Sequence, residues 1–161
     1  MPIVLFRVDE RLIHGQVTMG WGSVLKPDHY LVVDDDLAGS EWEAELYRLG
    51  VPPGAEATFL PVEEARARLV QLRDASQVTV LLTRSIRAMA RLARDGGLEG
   101  VEVNLGGLHD APHREEVLTY LHLDDEDRDA IRRLLDTGAR VSARDLPNTP
   151  RTGVERILKS R

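Results

Sequence analysis

Ile3-Val4-Leu5-Phe6-Arg7-Val8-Asp9-Glu10-Arg11-Leu12-Ile13-His14-Gly15-Gln16-Val17 decides how the rest of the chain is read. Ile3 to Val8 is a short apolar run, the composition of a strand buried inside a sheet. It gives way at Asp9 to a polar loop, Asp9 to Gln16. Beyond the loop, Val17, Trp21 and Val24 recur at i, i+4 and i+7, the spacing of one apolar helix face, and Pro27 ends that helix.

The same alternation of β-rich run and amphipathic helix continues down the chain. Further strands are expected at Tyr30–Val33, Ala57–Leu60, Val78–Leu82, Val101–Leu105, Val117–Leu121 and Arg140–Ala143. Ser40-Glu41-Trp42-Glu43 has the spelling of a capping box and should open a helix that ends by Gly50, before the hard break Pro52-Pro53-Gly54. A further helix is expected from Val62 to about Ala75. Ser85 should cap another, with Ile86, Met89, Ala90 and Ala93 inward and Arg87, Arg91 and Arg94 outward. Asp124 should cap a helix that buries Ala130, Ile131, Leu134 and Leu135 and stops at Gly138, and Val154–Lys159 reads as a short tail helix. The pattern predicts a single α/β domain over residues 1–161. Its sheet should be open and mostly parallel, with helices on both faces and an edge strand near the C-terminus, read as Arg140–Ala143.

Composition narrows the function classes. A formal net charge of −6 argues against general nucleic-acid binding, which needs a basic surface to neutralise phosphates. No apolar run approaches the ~20 residues of a membrane span. The start, Met1-Pro2-Ile3-Val4, carries neither a basic leader nor a small-residue cleavage site. The absence of cysteine excludes disulfides, thiolate metal sites and cysteine nucleophiles, and fits a cytoplasmic protein. Seven arginines and one acid, Asp74, lie between Arg66 and Arg94. They read first as a solvated helix surface and second as a docking face for an acidic partner or for lipid headgroups.

Open α/β sheets bind ligands beyond the carboxyl ends of their strands. Those ends carry Asp9–Gln16, Asp34–Asp36, Thr83–Ser85 and Gly106–His109, so four loops should converge on one rim. His14 lies in the first loop, beside two arginines and two carboxylates. An imidazole there is either an ordinary hydrogen-bonding loop residue or a nucleophile. With an unperturbed pKa of ~6.5 it is largely neutral, hence nucleophilic, near pH 7. A phosphoryl group would suit it, because transfer of that group depends mainly on positioning and electrostatics. Backbone N–H groups at the start of the Val17 helix, close approach at Gly15 and the Arg11 guanidinium could cradle the dianion, while Asp9 would organise the loop. No Gly-x-x-x-x-Gly-Lys-Ser/Thr and no Gly-x-Gly-x-x-Gly after the first strand speak for direct use of a nucleoside triphosphate or a dinucleotide.

Residues 7 to 17 resemble the signature of IIB components of the mannose/fructose/sorbose-type sugar phosphotransferase system. The similarity continues through Leu31-Val32-Val33-Asp34-Asp35, Pro52-Pro53-Gly54, Leu81-Leu82-Thr83, Val103-Asn104-Leu105-Gly106-Gly107 and Leu123-Asp124-Asp125-Glu126-Asp127. The resemblance implies that His14 is the phosphorylation site, with no cofactor. A IIA partner, itself phosphorylated by HPr, would donate the group, and a sugar held by membrane IIC/IID components would receive it. It further implies supporting roles for Arg7, Asp9, Arg11, Gly15, Gln16, Thr83, Gly106 and Gly107, a place in the cytoplasm beside the transporter, and room for a homodimer. The stretch Leu108–Arg114 departs from the more basic, amide-rich spelling of the family. Two alternatives stand beside this reading. One is a regulatory protein phosphorylated on His14 that signals rather than feeds transport. The other is an anion- or nucleotide-binding module in which His14 is only a polar contact.

Other residues read as structural. His109 and His113 are four apart around Asp110, but Pro112 removes the helical meaning of that spacing, so a metal site is disfavoured. His29 and His122 read as structural, Trp21 and Trp42 as core. Asp34–Asp36 read as loop-formers and helix N-terminal charges rather than a magnesium site.

Overall fold

Residues 3–159 are described by a computed structural model. Met1 and Pro2, half of the stretch read as lacking a leader, and Ser160 and Arg161 lie outside the described residues. The strands are β1 (Ile3–Val8), β2 (His29–Val33), β3 (Glu56–Leu60), β4 (Thr79–Thr83), β5 (Glu102–Leu105), β6 (Glu115–Leu118), β7 (Leu121–Leu123), β8 (Arg140–Ala143) and β9 (Thr152–Gly153). Seven of them form one sheet of order β3-β2-β4-β1-β5-β8-β9. All its pairings are parallel except β8 with β9. The helices are α1 (Gly22–Leu25), α2 (Asp35–Ala38), α3 (Glu41–Arg48), α4 (Val62–Ala67), α5 (Leu69–Asp74), α6 (Ile86–Leu92), α7 (Asp125–Asp136) and α8 (Val154–Lys159). A π-helical segment, Gln16–Trp21, leads into α1.

Strand alternation divides the core into two layers. Phe6, Val8, Leu31, Leu81, Val103, Leu105 and Val141 face a cluster built with Val62, Leu69, Met89, Ile131, Leu134 and Ile157. Tyr30, Val32, Val80 and Leu82 face the other way, onto Leu12, Ile13, Val17 and Leu37. Each fully buried Leu or Ile contributes roughly 1.5–3 kcal/mol relative to an exposed one. The loop after β1 is thus seated in the smaller core through Leu12 and Ile13. No described helix is long and apolar enough to cross a membrane.

The site's place follows from the strand order. The chain leaves β1 toward β2 on one side of the sheet and leaves β5 toward β8 on the other. The crevice at the carboxyl ends of β1 and β5 is therefore a topological switch point, the usual ligand position in such sheets. It brings Asp9–Gln16 against Gly106–Gly107.

Several elements differ from the sequence reading. The edge position near the C-terminus belongs to β9, since β8 pairs on both sides. The strand expected at Val117–Leu121 is a hairpin, with β6 and β7 antiparallel in a separate two-stranded sheet and the turn at Thr119-Tyr120. The helix expected over Val62–Ala75 breaks at Arg68 into α4 and α5. Ser40 makes no side-chain cap to α3; Glu41 and Glu43 in its first turn favour the positive helix end instead. Val24 is 63% exposed, because the i→i−5 bond from Gly22 N–H to Val17 O widens the turn and carries Val24 off the buried stripe. Trp42, expected in the core, is 68% exposed on α3.

Candidate functional site

Asp9 organises the loop after β1. It is wholly buried, and its Oδ1 accepts the backbone N–H of Arg11 at 3.0 Å, an Asx turn that folds the chain back on itself. The Leu12 N–H returns to the Asp9 carbonyl at 3.0 Å, and Leu12 takes a left-handed conformation (φ 56°). Such backbone costs a non-glycine residue roughly 1–3 kcal/mol, offset here by complete burial of the Leu12 side chain.

Three cationic or proton-bearing groups converge on the Asp9 carboxylate. Arg7 Nη2 donates to Oδ2 at 3.1 Å, Arg11 Nε donates to Oδ1 at 3.3 Å, and His14 Nε2 lies 3.2 Å from Oδ2. The His14 Nε2 is close enough to pair but not well aligned for a hydrogen bond. Burial alone would raise the Asp9 pKa. His14, the Arg7 charge and the Arg11 N–H outweigh it and hold the carboxyl well below the usual carboxylate range.

The other face of the imidazole meets the helix start. The Gln16 N–H donates to His14 Nδ1 at 3.3 Å, while Val17 and Thr18 N–H groups both bond the His14 carbonyl. An Nδ1 that accepts a hydrogen bond carries a lone pair, so the neutral ring holds its proton on Nε2, toward Asp9. Arg11, about a third exposed, is aimed by its bonds to Asp9 and by Nη2 donating to Gln16 Oε1 at 2.6 Å. Space is open around the position a Cβ would take on Gly15.

Arg7, expected among the supporting residues, stands behind Asp9 and bonds it. The Arg7 side chain is wholly buried, not at the surface where a ligand would sit. Nη1 donates to Asn104 Oδ1 at 2.5 Å and to the Arg144 carbonyl at 2.9 Å, and Nη2 also donates to the Asp145 carbonyl at 3.1 Å. The guanidinium carbon stands 5.4 Å from the centre of the Trp21 ring, a cation–π arrangement. Burial pulls the Arg7 pKa down and Asp9 opposes the shift; a guanidinium keeps its charge there. Gly106 passes so close that a Cβ would strike this guanidinium, and a Cβ on Gly107 would stand 2.8 Å from Arg11 Nη2. Both glycines are needed for close approach rather than for a special φ.

Thr83 closes the rim structurally: its carbonyl accepts the Asp9 N–H at 3.0 Å and its hydroxyl donates to the Ser85 carbonyl at 2.8 Å. Sequence reasoning gave no role to Glu10. Its carboxylate bonds the Arg114 guanidinium and accepts the His109 N–H at 3.1 Å, tying the Leu108–Arg114 stretch to the His14 loop. Only the departure of that stretch from the family spelling hinted that it bears on the site. His109 Nδ1 lies 3.4 Å from Glu10, while His113 is exposed with φ 70°. Among the described residues no group of three or more His, Asp or Glu side chains is arranged to hold a metal ion. Asp34 accepts the Leu37 N–H, and Asp35 accepts the Val62 N–H and pairs with Arg91, the loop-forming roles read for them. His29 bridges Thr79 and Thr58. Within the basic stretch, Arg66, Arg68, Arg87 and Arg91 each pair with a surface carboxylate.

His14 is thus held between a buried carboxylate and a helix start, at the switch point of a parallel α/β sheet. The chain belongs to the sorbose subfamily of phosphotransferase-system IIB components, whose family model matches residues 3–161. It is 27% identical to the sorbose-specific EIIB component of Klebsiella pneumoniae over 96% of this chain and 93% of that one. It is 28% identical to the fructose-specific EIIB component of Bacillus subtilis over 99% and 98%. The crystal structure of the IIBSor domain of the Klebsiella pneumoniae sorbose permease superposes with a TM-score of 0.88 at 26% identity, covering 100% of this chain and 99% of that one. The mannose-specific EIIAB component of Escherichia coli matches 94% of this chain, 28% identical, over 46% of its own length. The chain is thus a phosphotransferase-system component of the kind that serves sugar uptake.

Proposed function

We propose that His14 Nδ1 takes a phosphoryl group from a phosphorylated IIA partner and passes it to a sugar held by membrane IIC/IID components. The observation that carries this reading is the two-sided hold on the imidazole, with Nε2 beside buried Asp9 and Nδ1 directed at the Gln16 N–H. The Nδ1 lone pair attacks phosphorus, the donor's N–P bond breaks, and the electron pair returns to the donor imidazole. His14 is then phosphorylated on Nδ1 and protonated on Nε2, a cationic ring that Asp9 stabilises. Arg11 and the Gln16 N–H face the phosphoryl oxygens, and the open space beside Gly15 admits them. Asp9 does not repel the group, because its oxygens are turned to Arg7, Arg11 and the ring. In this reading one IIB domain works in the cytoplasm at the membrane transporter.

The test uses purified protein carrying labelled phosphate on His14, mixed with vesicles that hold cognate IIC/IID. Appearance of the label in a sugar phosphate, driven by one of mannose, fructose, sorbose or N-acetylgalactosamine, supports the transport role. Label that stays on His14 with every one of these sugars, in vesicles shown to be active, contradicts it and leaves the regulatory alternative.

A further inference from the structure

The His14 loop occupies one end of the sheet and leaves a second feature unexplained. An open groove of about 420 Å³ lies along one sheet face over β1, β5 and β8. Its floor is Glu102, Asn104 and Ser142, which alternate with the core residues Val103, Leu105, Val141 and Ala143 and so face away from the larger core. Arg73, Arg140, Arg144 and Arg151 line it against two acids, Glu99 and Glu102. In a chain of formal net charge −6 this is a locally cationic hollow.

The charges are not all spent on one another. Glu102 accepts from the Ser142 hydroxyl and from Arg151 Nε at 2.7 Å, with Arg140 Nη1 at 4.0 Å. The Ser142 hydroxyl and Arg151 hold the Glu102 carboxyl below its ordinary value, so it is ionised and satisfied. Arg144 is not. Its Nε is buried without an acceptor, and Nη1 reaches the Pro147 carbonyl only at 3.4 Å. A buried guanidinium N–H without an acceptor is costly unless a ligand supplies one.

We propose that this groove is a binding site for a small hydroxylated phosphomonoester. Arginine forks match a tetrahedral dianion, and a polar floor that carries Glu102 and Ser142 suits a hydroxylated remainder better than an apolar one. The volume is that of a small-metabolite site. The groove also touches the residues that hold the His14 loop. The Arg144 carbonyl accepts from Arg7 Nη1, and Trp21, which walls the groove, lies against the Arg7 guanidinium. An occupant that engages Arg144 therefore bears on Arg7 and, through Asp9, on His14. This last consequence rests on the proposed role of His14; the binding site does not.

The chain has two tryptophans, and Trp42→Phe leaves Trp21 as the only indole. Glucose 6-phosphate is titrated into that variant, with glucose as the neutral control and calorimetry beside the Trp21 emission. Arg11→Gln in the same background separates this groove from the His14 loop. The expected result is saturable binding of glucose 6-phosphate but not glucose, retained in Arg11→Gln and weakened about tenfold or more by Arg144→Met. Arg140→Gln, a change at an exposed side chain that leaves folding intact, should weaken it several-fold. Absence of heat and of emission change at millimolar probe overturns the proposal. So does binding that survives both groove variants, or binding that Arg11→Gln abolishes. No phosphoryl donor is present, so the result is independent of whether His14 is a phosphocarrier.

Discussion

Asp9→Asn isolates the charge at the centre of the site. The substitution keeps the shape of the side chain and removes its negative charge, leaving wholly buried Arg7 with only the weaker Asp145 charge to balance it. Either amide orientation also turns an NH2 toward existing donors: Arg7 Nη2 and His14 Nε2 on one side, or the Arg11 N–H and Nε on the other. Removing one partner of a buried pair costs roughly 3–5 kcal/mol, a large share of the ~5–15 kcal/mol that holds a domain together. At about 2–4 °C per kcal/mol for a chain of this size, the midpoint should fall by roughly 6–20 °C. Urea melts of Asp9→Asn, Arg7→Met and the double variant should show coupling, the double costing at least ~1 kcal/mol less than the sum of the singles. The pH dependence has a definite sign. The Asp9 pKa is depressed in the folded state, so its contribution is complete above the unfolded value of 3.8 and lost as pH falls through the lower folded value. Wild type should therefore lose stability more steeply than Asp9→Asn as pH falls below about 5. A cost under ~1 kcal/mol, or strict additivity with Arg7→Met, would refute the reasoning.

Gly106→Ala drives a Cβ into the Arg7 guanidinium and should cost about 1–3 kcal/mol in a denaturant melt; a neutral melt contradicts that packing. Gly15→Ala should leave stability unchanged or raise it by up to ~1 kcal/mol, because the residue is right-handed with open space around it. The same change should slow phosphorylation if the phosphoryl group approaches there, which a quenched-flow time course reads. Arg11→Lys loses the fork that joins Asp9 to Gln16 and should lower the phosphorylation rate by roughly 10²–10³-fold with little change in melting.

The parallel α/β fold and the meeting of His14, Asp9 and Arg11 in one loop were legible because those signals are local. A buried run, an Asx-forming Asp and a loop histidine all lie within a dozen residues. How Arg7 is held was not legible, because that depends on distant residues. Its partners Asn104, Arg144 and Asp145 arrive from strands and loops 97 to 138 residues away, beyond the reach of any local pattern. The β6–β7 hairpin was hidden because its turn, Thr119-Tyr120, carries no Gly, Pro, Asn or Asp to mark it. The misplacement of Val24 has a different cause: helical periodicity assumes a constant turn, and the π-helical Gln16–Trp21 segment changes it. Trp42 shows that an apolar residue at helical spacing need not face the core; with Leu46 on α3 and Leu49 at its C-terminal cap it forms an outward stripe.

The most direct test of the central claim is intact mass and nitrogen-resolved NMR of the protein after incubation with phosphoenolpyruvate, enzyme I, HPr and a cognate IIA. The expected result is one acid-labile phosphoryl group on Nδ1 of His14, absent from His14→Ala. No gain from a demonstrably phosphorylated cognate IIA, or a group placed on any other residue, would contradict it.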